Sequence, residues 1–122
     1  MISFKQFLFE SSQEDLDLIQ HSIKNRNTIL FYYEGDNKIS RGYRWVEPVA
    51  FGYSKDGNGL LRAYQTKEKP SKSGSKPLWR LFRTDKISKV TKSLKKFNRP
   101  RKGYNPLGDK GIHTLVVNSK FK

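Results

Sequence analysis

Apolar residues recur at helical spacing in one long stretch near the start of the chain. Leu16, Ile19 and Ile23 fall on one face of a segment that opens with Glu14, Asp15 and Asp17 and closes near Lys24 and Arg26. That charge order complements a helix dipole. Ser11 stands three residues before Glu14, which is capping-box spacing, so the pattern predicts a helix over residues 13–26. Ser3 and Gln6 repeat the spacing earlier, with Phe4, Phe7 and Leu8 on one face of a shorter helix. His21 lies alone on the longer helix and reads as an exposed histidine rather than a catalytic one.

Beyond Asn27 the apolar residues gather into short β-branched and aromatic runs. Thr28-Ile29-Leu30-Phe31-Tyr32-Tyr33 predicts a strand, and Glu34-Gly35-Asp36-Asn37-Lys38 a turn. A second strand is predicted over residues 40–53. Pro48 interrupts it, and because proline donates nothing to a ladder the strand needs an edge, bulge or bend there. Simple alternation puts Trp45, Val49, Phe51 and Tyr53 on one face. Asp56-Gly57-Asn58-Gly59 holds two hairpin dipeptides, and Leu60 to Thr66 follows as a strand. Residues 67–77 are rich in lysine, serine and proline and read as a mobile loop. Leu78 to Arg83 is a strand, Asp85-Lys86-Ile87 a single turn, and Ser88 to Thr91 a short fifth strand. His113 to Val117 reads as a last strand with no partner named by the pattern.

A helix followed by short strands is an α+β pattern. The expected architecture is an N-terminal helix followed by a small five-stranded, strongly bent antiparallel β-barrel of SH3/Sm type. Its parts are a helical lead over 1–26, the barrel over 27–92 and a basic C-terminal arm over 93–122.

Composition narrows the classes. The 122 residues make one domain, and with no cysteine disulfides and thiolate metal sites are excluded. No apolar run spans a membrane, and the first residues lack the pattern of a signal peptide, so a soluble cytoplasmic protein is expected. The net charge is +14 and unevenly spread: residues 1–26 carry three basic and four acidic side chains, 27–85 eleven and six, and 86–122 eleven and one. Such a field attracts polyanions. A basic surface kept for solubility or for an acidic protein partner is the alternative.

The inventory for catalysis is thin. Two separate histidines, no cysteine and no spaced carboxylate pair point away from an enzyme, a metal site or a cofactor. Binding is better supplied. Arg44, Arg62, Arg80 and Arg83 sit inside predicted strands, where a planar guanidinium suits bidentate phosphate contact. Tyr43, Trp45, Tyr64 and Trp79 offer flat faces for stacking bases, although rings in a small domain also serve as core. Alternation places Leu60, Arg62 and Tyr64 on one face, and Arg80 and Arg83 on opposite faces. Residues 93–103 form a basic arm in which Lys95, Lys96, Arg99, Arg101 and Lys102 would add sequence-blind phosphate contacts.

Taken together, Ile29-Leu30-Phe31-Tyr32-Tyr33, Arg44-x-Val46-Glu47-Pro48, Leu60-Leu61-Arg62-Ala63-Tyr64 and Arg80-Leu81-Phe82-Arg83-Thr84-Asp85-Lys86-Ile87 resemble a WYL domain over about residues 14–92. The resemblance implies an Sm-like, SH3-type barrel that binds a ligand, often nucleic acid or a nucleotide, with ligand-site positions at Tyr33, Arg44, Arg62, Arg80 and Arg83. The triad that names the family is Gly59-Leu60-Leu61 here. Only about 26 residues precede the barrel, so the winged helix that commonly accompanies such domains is not expected. The two ends, Met1-Ile2-Ser3-Phe4-Lys5-Gln6-Phe7-Leu8 and Tyr104-Asn105-Pro106-Leu107-Gly108-Asp109-Lys110, are similar to small accessory proteins of large tailed bacteriophages, which would place the protein in a host cytoplasm.

The sequence therefore predicts a non-enzymatic module that binds nucleic acid, single-stranded favoured, or a nucleotide. Its site would comprise Tyr33, Arg44, Arg62, Tyr64, Arg80, Arg83 and the arm. Two other readings stand beside it: a regulator that docks on an acidic host enzyme or polymerase, and a minor structural component of a virion. The oligomeric state is not set by the sequence.

Overall fold

The computed structural model describes residues 13–35, 41–67 and 78–121. The short helix predicted near Phe4, residues 68–77 of the loop predicted over 67–77 and part of the turn predicted over residues 34–38 lie outside them. Among the described residues, one helix, α1 (Gln13–Asn25), precedes six strands: β1 (Asn27–Tyr33), β2 (Gly42–Tyr53), β3 (Gly59–Lys67), β4 (Leu78–Arg83), β5 (Ile87–Lys96) and β6 (Thr114–Asn118). The fold is α+β, with the helix at the predicted place. Arg26 ends it in the left-handed region (φ 57°), and the side chain of Asn25 donates to the carbonyl of His21.

The strands form one antiparallel sheet in the order β4-β3-β2-β1-β5, with β6 added to β2. β2 is long enough to take two partners along one edge. Its first half pairs with β1 as far as Ile29↔Val46, and its second half pairs with β6 from Ala50↔Asn118 onward. Pro48 lies between the two ladders, where its missing N–H leaves no gap in either.

Among the described residues the strongly bent antiparallel sheet has six strands where five were expected, and it is not closed into a barrel: it is open between β4 and β5. The reason is topological. Every neighbouring pair is antiparallel, so β4 and β5 point the same way, and parallel neighbours need a crossover far longer than three residues. Here only the 3₁₀ turn Thr84–Lys86 joins them. The same turn forces the sheet to curl. Across a flat sheet the two edge strands would lie about 19 Å apart, whereas the link reaches at most about 14 Å. Contacts between distant strands follow from the curl. The Tyr33 ring meets Phe82 with centroids 5.0 Å apart, and the Arg83 amide donates to the Tyr33 hydroxyl at 3.2 Å.

Curling encloses a first core on the inner face. Ile19 and Ile23 of α1 pack there with Ile29, Phe31, Val46, Phe51, Leu61 and Phe82. A second core lies on the outer face: Val49, Ala50 and Leu60 are covered by Phe97 and Ile112, with Trp79, Tyr104 and Phe121 at its margin. The single-face alternation predicted for β2 fails at the proline. Pro48 pairs with Ala63 and Ala50 with Arg62, so Val49 is the extra residue of a bulge. Val49 and Ala50 both belong to the outer core, and Phe51 returns to the inner one, as one inserted residue requires.

The C-terminal segment, expected as a basic arm with a last strand at His113 to Val117, packs across the sheet as a strap and carries that strand as β6. β5 runs on to Lys96, five residues past its predicted end. Phe97 is then buried, and its amide donates to the Arg26 carbonyl. The chain crosses the outer face to Ile112, pairs β6 with β2, and closes at Ser119. The buried Ser119 hydroxyl donates to the Ile23 carbonyl at 2.6 Å, and its amide to Val49 at 2.7 Å. Phe97, Tyr104, Ile112 and Phe121 are too irregularly spaced among lysines and arginines for periodicity to reveal them.

Candidate functional site

Strand register sorts the candidate residues by face. Tyr32 pairs with Tyr43 and Leu30 with Trp45; Glu47 pairs with Tyr64, and Tyr64 with Trp79. All these residues point outward. The four aromatics that the sequence offered as stacking surfaces, Tyr43, Trp45, Tyr64 and Trp79, thus share the outer face with Tyr32. Tyr32 meets Tyr43 edge-on at 5.2 Å, and Tyr64 meets Trp79 at 5.3 Å. Tyr43 is 50% exposed. The strap covers the β2–β3–β4 end of this face and leaves the end that carries Tyr32 and Tyr43.

The four strand arginines are split. Arg44 faces inward opposite Phe31, and its Nη1 donates to the buried Gln65 Oε1 at 3.2 Å. Arg80 shares that side, opposite Ala63, and is exposed. Arg62 and Arg83 lie on the outer side, opposite Leu81 and Leu60. One pocket holding all four is not formed, because alternation along β4 separates Arg80 from Arg83. Tyr33 is an inner-face residue whose hydroxyl receives the Arg83 amide.

Among the described residues, Arg62, Arg101 and Arg83 make forked ion pairs. Arg62 gives Nε and Nη2 to Asp109 at 2.6 and 3.1 Å. Arg101 gives the same two nitrogens to Glu47 at 3.1 and 2.9 Å, with its guanidinium carbon 4.8 Å from the centre of the Tyr64 ring. Arg83 pairs with its near neighbour Asp85, both of them well exposed. Hydrogen bonding from Arg62 holds the Asp109 carboxyl below its ordinary range, against the opposing effect of burial. The bond to Glu47 raises Arg101 further above its already high value. Burial pushes the Tyr104 phenol up, and its hydroxyl donates to the Ser119 carbonyl.

The remaining basic residues form a frame. β5 is an edge strand, and residues 86–108 contain no acid. Lys89, Lys92, Lys95, Lys96, Arg99 and Lys102 are all exposed. Lys89 takes the left-handed conformation (φ 55°) at a register shift between β1 and β5, and its ammonium lies 5.8 Å from the centre of the Tyr32 ring. The sequence offered neither Tyr32 nor Lys89 as a site residue. The alternating pattern of β1 could have raised Tyr32, since it is out of phase with Ile29, Phe31 and Tyr33. The backbone of Lys102 accepts from the Trp79 indole at 2.7 Å, which fixes the strap beside the Tyr64–Trp79 pair.

A cavity of about 400 Å³ opens where the strap crosses β3 and β4. Val49, Ala50, Arg62, Trp79, Tyr104 and Asp109 line it, with the loop of residues 103–110 as its outer wall. No group of His, Cys, Asp or Glu among the described residues has the arrangement of a metal site, and no described helix is long and apolar enough to cross a membrane.

Neither family models, curated proteins nor solved structures match the chain.

Proposed function

We propose that the protein is a non-enzymatic module that binds single-stranded nucleic acid across the outer face of its sheet. One observation carries the reading: Tyr32, Tyr43, Trp45, Tyr64 and Trp79 share one face, the strap leaves its Tyr32–Tyr43 end open, and a basic segment without acid borders it on two sides. Flat rings give sequence-tolerant stacking, and a lysine-rich border gives phosphate contacts. Lys89 to Lys96 extend along β5 for about 23 Å, enough for three or four nucleotides. A single strand suits the site better than a duplex, whose bases are not available for stacking.

In this reading the strand arginines and the arm divide the work. Lys95, Lys96, Arg99 and Lys102 make phosphate contacts beside Lys89 and Lys92. Arg101 and Arg62 hold the strap through Glu47 and Asp109. Arg44 and Arg80 lie on the opposite side of the sheet and Arg83, on the outer side, is paired with Asp85; these three contribute mainly to the field. The WYL-like assignment belongs to the same proposal. It is supported by the curled sheet and by the 3₁₀ turn that joins the two edge strands.

A second reading has its own observation. Leu94 and Leu107 are 95% and 94% exposed, and apolar side chains presented among lysines suit an acidic protein surface. The two are separated by titrating single- and double-stranded oligonucleotides at 50 and 200 mM salt. Single-strand preference with a steep salt dependence supports the nucleic-acid reading, and no binding at the lower salt overturns it.

A further inference from the structure

We propose that the groove between the strap and the C-terminal end of the chain docks a proline-rich peptide segment flanked by acidic residues. The groove has a volume of about 650 Å³, and Pro100, Tyr104, Pro106 and Phe121 line it. Its two aromatic rings meet edge-on with centroids 5.2 Å apart, and Phe97 backs Phe121 at 6.0 Å. Pro100 and Pro106 are exposed, and their fixed φ stiffens the walls. Leu107, next to Pro106 in the chain, is 94% exposed and adds apolar surface beside the groove.

The polar groups around the groove are committed within the protein. The Tyr104 hydroxyl donates to the Ser119 carbonyl, the Asn118 side-chain amide to the Pro106 carbonyl, and Arg26 to the Lys120 carbonyl. Ser119 gives its amide to Val49 and its hydroxyl to Ile23. An occupant with many N–H groups would bury them against carbonyls that already accept a bond. A proline-rich segment has few N–H groups, stays extended without internal hydrogen bonds, and is recognised by ring-lined grooves.

Charge fixes the flanks. Lys120 is exposed at the groove, and Arg99, Arg101 and Lys102 lie on the same strap. Asp109, the one acid in residues 86–122, is paired with Arg62. Acidic flanks match that field. The same field disfavours the chain's own proline-containing stretch, since residues 67–77 carry four lysines and one glutamate, and a second copy brings a further charge of +14. No residue lining the groove belongs to the stacking face. The inference therefore stands apart from nucleic-acid binding, and gives a peptide class to the acidic partner of the second reading.

Fluorescence anisotropy of the full chain with a labelled peptide, a run of prolines between glutamates, tests the proposal. Saturable binding is expected, about tenfold tighter than for the same peptide with alanines in place of the prolines. Pro106→Ala, on an exposed turn, and Phe121→Ala, checked by circular dichroism, are each expected to weaken the proline peptide severalfold and to leave single-stranded oligothymidylate unaffected. Tyr43→Ala is expected to leave the peptide unaffected. No binding of the proline peptide overturns the groove as its site, and so does an alanine peptide that binds as tightly. Oligothymidylate that loses affinity with Pro106→Ala as much as the peptide does would assign the groove to nucleic acid instead. Peptide binding without oligothymidylate binding sinks the stacking-face reading and supports the groove.

Discussion

Arg101 closes a two-pronged pair on Glu47, a carboxylate in the middle of β2 whose side chain is only 6% exposed. The pair pins the strap to the strand at the edge of the stacking face. Arg101→Ala leaves that carboxylate buried and uncompensated, and an expected loss of about 2–3 kcal/mol follows, discounted because the guanidinium is itself half exposed. Arg101→Lys should recover little, since an ammonium cannot reproduce the fork. Replacing both residues with methionine should restore stability to within about 1 kcal/mol. Urea unfolding midpoints at unchanged m-value measure all three.

The Arg62–Asp109 pair sets an acid limit. Asp109 is held below its ordinary value of 3.8, so the unfolded chain binds its proton more readily than the folded one. Stability from this pair is fully present above about pH 5, and is lost as pH falls past the ordinary value and through the depressed one. Tyr104 works in the opposite sense, because its phenol is raised above 10.0. Its contribution is full below the ordinary value and disappears as pH rises through the raised one. Strap docking is therefore expected to be flat between about pH 5 and 9 and to weaken on both sides. Asp109→Asn should blunt the acid limb and Tyr104→Phe the alkaline limb of thermal midpoints measured against pH.

Much of this arrangement was legible residue by residue. The helix, the first four strands, the 3₁₀ turn and the break at Pro48 follow from spacing and from proline chemistry. The sequence predicted a barrel, and the open sheet was not legible, because closure depends on the direction of β4 relative to β5, which appears only once every pairing is known. Neither was the strap. Phe97, Tyr104, Ile112 and Phe121 bury their rings and chains in a stretch whose charge marks it as solvated, and nothing local identifies their partners on β2 and β3. Arg62 and Arg101 read as ligand arginines for the same reason. Asp109 and Glu47, the carboxylates they meet, stand 47 and 54 positions away.

Gly52 is a point of close approach rather than a flexible link. A Cβ there would lie 2.1 Å from the Thr114 carbonyl oxygen and 2.5 Å from Cγ2 of Ile112. Gly52→Ala must push β6 off β2 and open the outer core. The expected cost is about 2 kcal/mol or more. The Ser119 amide, which bonds to Val49 across this junction, should lose protection from hydrogen exchange before the amides of β1.

Ser22 offers the reverse case. Its hydroxyl is fully buried on α1 with no hydrogen-bond partner among the described residues. An unmade bond there costs about 1–3 kcal/mol, and alanine also favours the helix. Ser22→Ala is expected to raise stability by about 1 kcal/mol, read as a higher thermal midpoint with an unchanged circular dichroism spectrum.

Stacking and phosphate contact should separate by their salt dependence. Combined alanine substitution of Lys95, Lys96 and Arg99, all exposed, removes up to three phosphate contacts. It should reduce the slope of log K against log salt by about 2 for single strands, equally for every sequence. Tyr43→Ala removes a stacking surface and no charge, so it should weaken binding by about 1–3 kcal/mol at any salt and leave the slope unchanged. A slope that falls with Tyr43→Ala would mean that the ring only positions a neighbouring cation. Lys89 is then the residue to examine, since its ammonium already rests against the Tyr32 ring that Tyr43 supports.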